Sequence, residues 1–461
     1  MGEPGTVDTR FRTALKRLAD GGRLLFFPHE ADPELEVAAV ADRFAGGPAV
    51  FFERVKGYSI PLAANLLGSP ANTMCVFRQD TQGMRDLMQR AVTRPIPPKR
   101  VDRGPCQERV VIGGIDLGKM LPTLRYAPED CGRFITAGVV VARDPETGVT
   151  NASFHRLQLV GSDRTGVRLD RGRHLGVLVE KARAAGKSLD IAVCIGPDLS
   201  LLYASASSLP IEVDELSIAS GLRGEPLKTV TCKTVDIDVP AECEIILEGS
   251  IDPSETVHEG PFGEFVGMYS DAGPMPVFTV SAMTTRERPI YHIGYSETGI
   301  GLRKYIFENL VLRKIKDAVP EVVDIEVTAG SLNLFHIVVS VAKRSAADDT
   351  LPKKVIEAAL EAHRYVDLII VVDDDIDIKT WNDVEYALAL RFDAAHDLHL
   401  FPGRPTHEYV RKAKDGIRTK MGIDATVPFK ERERFRRVEY APVDLDKIHR
   451  SVDGDIRAYL G

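Results

Sequence analysis

Residues 134–170 read FITAGVVVARDPETGVTNASFHRLQLVGSDRTGVRLD, and the pattern of this stretch decides the fold. The runs FITAGVVVA, TNASFHRLQLV and VRLD are separated by DPETG and GSDRTG, two clusters of turn-forming residues. β-branched and aromatic side chains pack well on a pleated surface, whereas Asp, Pro and Gly supply turn conformations, so the stretch predicts successive strands joined by hairpins. The same character continues to about residue 295 in KTVTCKTVDIDVP, AECEIILEGSI and VFTVSAMTTRERPIYHI. So many strands with hairpin punctuation predict a barrel or sandwich. Helical stretches around HLGVLVEKARAAGKS, DLSLLYASAS and DELSIASGL are interleaved with them, which makes the unit α+β.

Upstream, residues 7–20 carry helical spacing, and GRLLFFP, ELEVAAVADRF and AVFFERV read as strand, helix and strand. TMCVFRQ predicts a further strand and DTQGMRDLMQRAV a helix. PIPPKRVDRGP (95–105) is a Pro-rich connector with restricted backbone. Downstream, a long helix over 302–319 leads to LNLFHIVVSVA, PKKVIEAALEAH, VDLIIVVDDD and TWNDVEYALAL, which alternate as in a layered α/β unit. The expected architecture is multidomain α+β / α/β. It places an N-terminal α/β domain at 1–105, a central β-rich domain at 106–301, and a connecting helix with a C-terminal α/β domain at 302–461.

The chain has 461 residues, 44% hydrophobic and 27% charged, ordinary values for a globular protein with substantial cores. Its 59 Lys and Arg against 67 Asp and Glu give a net charge of -8, so nothing suggests wrapping nucleic acid or coating an anionic membrane. The six cysteines are dispersed without a CxxC pair and read as reduced thiols. With no apolar leader and no stretch of about 18 uncharged apolar residues, a cytoplasmic protein is expected.

Phosphate-loop, zinc-helix and nucleophile-elbow motifs are absent, and Gly299-Ile300-Gly301 lacks the third glycine of a dinucleotide fingerprint. Asp373-Asp374-Asp375 ends an apolar strand and reads as a solvated terminus that caps a helix. SETVHEGPFGEFVG (254–267) is more informative. Gly-Pro-Phe-Gly cannot continue a helix or a central strand, so Glu259 and Glu264 flank a shaped loop. Two carboxylates in different environments can take different roles in acid/base chemistry. In TNASFHRLQLV a continuous strand puts Asn151 and Arg156 on opposite faces. His174 and Glu215 each open a predicted helix, a position that favours anions. Asn, His and Glu together form a mixed donor set that matches Mn²⁺ or Mg²⁺ better than Zn²⁺.

Asn151 to Arg156 (N-x-x-x-x-R), His174 eighteen positions after that Arg, Glu215 in DELSIASGL, EIILEGSI and EGPFGEFVG occur in an order that resembles the UbiD family of reversible decarboxylases. PVFTVSAMTTRERPIYH, VVDDDIDIKTWNDVEYALALRFD and KMGIDAT resemble family segments as well, so the likeness runs from about Asn151 to Thr426. The resemblance implies a central split β-barrel related to flavin-reductase folds. It also implies prenylated FMN, made by a separate flavin prenyltransferase, with Mn²⁺ (or Mg²⁺) held by Asn151, His174 and Glu215 and K⁺ near Ser205 and Ser207. Ser153, Phe154, His155, Arg156, Arg173 and Lys420 complete the cofactor contacts it implies. Arg156, Glu259 and Glu264 match the family's catalytic network, acting on a small carboxylic acid with release of CO₂, in a homodimer or larger homo-oligomer. Arg173 stands where ferulic acid decarboxylase has an amide, which argues against a cinnamic-type substrate. His292 and Arg303 are candidates for contacting a heteroaromatic ring or a second polar substituent. The alternatives are an FMN-dependent reductase on the same barrel and a non-catalytic subunit of a carboxylase complex.

Overall fold

The computed structural model describes residues 6–169, 172–207, 209–294, 304–438 and 441–442; Arg303 and the Gly299-Ile300-Gly301 fragment lie outside the described residues. The fold is a mixed α/β, multidomain one. Its centre is a nine-stranded antiparallel sheet that curls as a half-barrel. The strand order is Phe134–Ile135, Leu157–Leu159, Arg164–Val167, Gly273–Thr285, Ile245–Glu259, Leu189–Ile195, Val139–Arg143 and Thr150–Phe154, with Arg109–Ile112 also pairing Gly273–Thr285. The quoted stretch 134–170 thus supplies five of the nine strands, at both ends of the sheet. The long hairpin Ile245–Glu259/Gly273–Thr285 breaks register between Glu248 and Gly249. There a Cβ would lie 1.9 Å from the Thr279 carbonyl oxygen, so only glycine admits the close approach.

A four-stranded sheet holds Leu24–Ala31, Ala49–Val55, Leu62–Ala64 and, from far along the chain, Tyr291–Ile293. The Pro-rich connector contributes Lys99–Arg100 to a small sheet with Lys228–Thr231 and Asp238–Pro240. In the C-terminal sheet, Val322–Val327, His336–Val341, Leu368–Asp373, Ile417–Ala425 and Leu398–Pro405 lie side by side; the middle three are parallel. The helix Lys304–Ala318 joins this sheet to the rest. Buried Arg85, on the helix Thr81–Thr93, donates to Glu308 of the connecting helix at 2.8 Å and to Asp324 of the strand Val322–Val327 at 2.5 Å.

Two expectations fail. TMCVFRQ is not a strand but part of the helix Pro70–Phe77: the Ser69 side chain accepts from the Asn72 N–H and Pro70 opens the first turn, start signals that outweigh the apolar run. Asp373 is not solvated. It is buried, accepts from the Val427 N–H at 2.8 Å, and faces Arg391 at 3.3 Å and Lys343 at 3.6 Å. The helix after it, Trp381–Arg391, has no side-chain cap. The cysteines are free thiols, but Cys106, Cys194, Cys232 and Cys243 are buried in one apolar core. Among the described residues no helix is long and apolar enough to cross a membrane.

Candidate active site

The edge strand Thr150–Phe154 brings together residues that lie 64 positions apart in the chain. The Asn151 amide nitrogen is 3.1 Å from His174 Nδ1 and 3.2 and 3.3 Å from the two Glu215 carboxylate oxygens. His174 is the first residue of the helix His174–Ala184 and Glu215 the first of Glu215–Arg223, whose start is capped by Asp214 accepting from the Leu216 N–H. The Ala152 N–H donates to Glu215 at 2.8 Å, which locks the carboxylate against the strand. Burial pushes the Glu215 carboxyl up to about 8, against the pull of that backbone donor. Burial, with Arg173 next, holds the His174 imidazole below its usual value.

The trio fits a hard or intermediate divalent cation. It offers a desolvated carboxylate that lacks a cationic partner among the described residues, an imidazole nitrogen, and an amide that can present oxygen or nitrogen. One of the three is an amide, so the trio is not a cluster of His, Cys, Asp or Glu alone; no such cluster of three that could hold a metal exists among the described residues.

The strand ends at Phe154, and Arg156 lies in a two-residue link before the strand Leu157–Leu159, so the alternation expected across 151–156 does not apply. From that link Arg156 reaches Glu259 and the loop after it. Nε and Nη2 donate to the two Glu259 oxygens at 2.7 and 3.0 Å, Nη2 also reaches Ser270 Oγ at 3.0 Å, and Nη1 pairs with Glu264. One guanidinium thus stands between two carboxylates, bidentate to one and single-contact to the other. Glu259 is fully buried and faces a second cation, Arg168, at 3.7 Å, whereas Glu264 accepts from the Tyr409 hydroxyl at 2.8 Å. The loop is held by the Gly260 N–H on Gln158 Oε1 at 3.0 Å and the Gly263 N–H on Asp130 Oδ1 at 2.8 Å. Gly260 sits at φ +88, a conformation that suits glycine.

Beside the trio lies a cavity of about 410 Å³ between the central sheet and the segment 361–365 of the C-terminal unit. Ser153, Phe154, His155, Arg173, His174, Ser205, Ser207 and Glu215 all line it. The Ser205 hydroxyl is buried without a hydrogen-bond partner. Lys314, Arg364 and Tyr365, which carried no signal in the sequence, line it too; Arg364 lies over the Tyr365 ring, 4.9 Å from its centroid. Arg173, Arg364 and Lys314 have no carboxylate partner among the described residues, so this wall suits an anion such as a phosphate.

Two expected contacts are not brought here. Lys420 is buried on the strand Ile417–Ala425, where its ammonium donates to the Arg364 and Val366 carbonyls at 2.7 and 2.8 Å and faces Asp367 at 3.2 Å. It shapes the segment that carries Arg364 and Tyr365 and does not line the cavity. His292 is buried on Tyr291–Ile293 in the N-terminal sheet, its ring 5.4 Å from that of Phe11, away from the cavity. Arg156, Glu259 and Glu264 stand next to the cavity lining through His155 and are not part of it.

Three family models match consecutive parts of the chain: the 3-octaprenyl-4-hydroxybenzoate carboxy-lyase N-terminal domain at 15–91, its Rift-related domain at 99–297 and its C-terminal domain at 303–425. An uncharacterized protein of the cooM 5' region of Rhodospirillum rubrum is 34% identical over 94% of this chain and 95% of its own length. The UbiD-class enzyme HmfF from Pelotomaculum thermopropionicum, solved in complex with FMN, has a TM-score of 0.90 and 38% identity over 95% of this chain and 98% of that one. An evolved dimeric form of HmfF in complex with prFMN gives 0.87 and 36% over 96% and 99%. The 3,4-dihydroxybenzoic acid decarboxylase AroY of Klebsiella pneumoniae gives 0.88 and 27% over 95% and 98%. The chain belongs to the UbiD family of carboxy-lyases.

Proposed function

We propose that this protein is a non-oxidative, reversible decarboxylase of an aromatic, heteroaromatic or α,β-unsaturated carboxylic acid that works with prenylated FMN. The observation that carries the reading is the single guanidinium of Arg156 shared by buried Glu259 and half-buried Glu264 beside an anion-suited cavity. Losing CO₂ from an sp² carbon leaves electron density that water cannot stabilise, and the prenylated flavin supplies the electron sink. Arg156, fixed by its fork on Glu259, orients the substrate carboxylate. Glu259, between Arg156 and Arg168, keeps that guanidinium in place. Glu264 delivers a proton to the carbon that lost CO₂.

Asn151, His174 and Glu215 would hold Mn²⁺ or Mg²⁺ near the flavin phosphate, and Ser205 and Ser207 would help hold K⁺. The buried Ser205 hydroxyl without a partner and the cations of the cavity wall that lack a carboxylate partner support this. The same reading makes the half-barrel a split β-barrel of a flavin-binding domain over 106–301, between domains at 1–105 and 302–461. It also places a homodimer or larger homo-oligomer in the cytoplasm, dependent on a flavin prenyltransferase for its cofactor. The test is to co-express the chain with a flavin prenyltransferase, record the flavin absorbance, and screen CO₂ release over a panel of aryl, heteroaryl and acrylic acids. Turnover of at least one acid is expected; a flavin-loaded protein inert on the whole panel, or one that only oxidises nicotinamide, contradicts it.

A further inference from the structure

The loop that carries Glu264 is met by a loop from the C-terminal unit, residues 406–416. Tyr409 donates its hydroxyl to Glu264 Oε1 at 2.8 Å, and Arg411 pairs with Asp271 at 3.0 Å. Behind these polar contacts stand rings. Phe265 lies edge-on to both His407 and Tyr409, centroids 6.2 Å apart in each case, and His407 in turn is 4.6 Å from Tyr365 of the cavity wall. The aromatic packing fixes the direction of the Tyr409 phenol, and the phenol fixes the Glu264 carboxylate.

We propose that Tyr409 is a positioning residue for the proton donor: its hydroxyl holds Glu264 toward Arg156 and sets the acid's proton affinity from the C-terminal unit. This deepens the decarboxylase reading and rests on it. A donor bonded to a carboxylate favours the ionised form. Among the described residues, the groups that face Glu264 are Arg156, from the two-residue link after Thr150–Phe154, and Tyr409 from the opposite loop. Glu259 stands behind Arg156, the Arg411–Asp271 pair lies at the loop's far end, and His407 packs on the Tyr409 ring. Arg156 is always charged, so the phenol is the donor that can be tuned without breaking the fork on Glu259.

The experiment uses the cofactor-loaded full chain and an acid it turns over. Tyr409→Phe keeps the ring and loses the hydroxyl. Flavin content and melting temperature should stay at wild-type values and KM should change less than about twofold, while kcat falls roughly tenfold, in the range that misplacing a catalytic group produces. The alkaline limb of the kcat profile should move up by roughly half to one pH unit, because the acid loses a donor that favoured its ionised form. Replacing Tyr409 by 3,5-difluorotyrosine makes the phenol a better donor and should move the limb the other way. A Tyr409→Phe profile that superposes on wild type, or limbs that move in the same direction for both replacements, overturns the assignment. Glu264→Gln separates this from the underlying reading. If that variant is inactive while Tyr409→Phe is silent, only the role of Tyr409 falls; if it turns over normally, the proton-donor role of Glu264 falls first.

Discussion

Arg156 carries five N–H donors in a rigid fork, and the structure spends them unequally on two glutamates. Glu259 is fully buried with two cations around it, so removing its charge leaves Arg156 with Glu264 alone to offset it and takes the facing carboxylate from Arg168, at a cost on the order of 2 kcal/mol or more. Glu264 has a single contact to Arg156 and one phenol, and its charge is less deeply committed. Glu264→Gln should therefore keep the fold, flavin and metal and lose about 10²- to 10⁴-fold in turnover, whereas Glu259→Gln should lose activity and melt earlier. The measurement is deuterium entry from D₂O into the decarboxylated product, with melting temperature alongside; normal exchange by a fully loaded Glu264→Gln protein would give the proton to another group. Of this cluster the sequence showed the identities, through the resemblance, and the reason for a shaped loop, through Gly-Pro-Phe-Gly. It could not show how the cluster is oriented, because a strand that stops at Phe154 leaves no alternation to read. Tyr409 lay out of reach entirely, since a lone tyrosine in a loop carries no spacing.

Helices and strands set the second half of the site. Both His174 and Glu215 are first residues of helices, so their side chains are offered at helix N-termini, and the strand Thr150–Phe154 supplies Asn151 and the Ala152 N–H from the sheet edge. Three elements therefore meet at one point, and removing one donor from such a set should release what it holds. His174→Ala and Glu215→Ala should each greatly reduce bound metal and flavin in protein loaded in the same way. Metal analysis with flavin absorbance decides it, and wild-type contents in both variants would withdraw the ligand assignment. These helix starts are legible because apolar helical spacing follows each of them, in HLGVLVEKARAAGKS and DELSIASGL. TMCVFRQ was misread because its apolar run fits either period, and only Ser69-Pro70 distinguishes helix from strand. The strand Val322–Val327 and the edge strand Leu398–Pro405 were missed for a related reason: their alternation is interrupted or half exposed.

At the scale of the whole molecule, the central sheet and the C-terminal unit share one cavity, and this sharing is what the sequence conceals. Tyr291–Ile293 returns to the N-terminal sheet and the connector joins a sheet with Lys228–Thr231, pairings that need long-range geometry. The segment 361–365 closes the cavity from the C-terminal side, and there lies a global consequence of burial. His363 sits between Phe307, centroids 4.9 Å apart, and Tyr365, at 4.8 Å, and burial holds its imidazole down to about 3, with Lys314, Arg364, Arg173 and Lys420 adding repulsion. An unfolded chain protonates the same imidazole near its ordinary value of about 6.5. Above that pH both states are neutral at this group and it does not affect the equilibrium. Below it, down to the folded value, the unfolded state binds the extra proton, so stability falls as pH falls, by at most about 1.4 kcal/mol per pH unit from this group. His363→Gln removes the titration while keeping a polar side chain of similar reach. The chain should then lose less stability than wild type between pH 7 and pH 5, the difference growing steadily below about pH 6.5. Urea unfolding midpoints across that range isolate the effect, because every other titrating group is common to both proteins. Parallel curves would mean that His363 takes up its proton at the same pH folded as unfolded, and that the ring-lined wall of the cavity admits more water than its packing indicates.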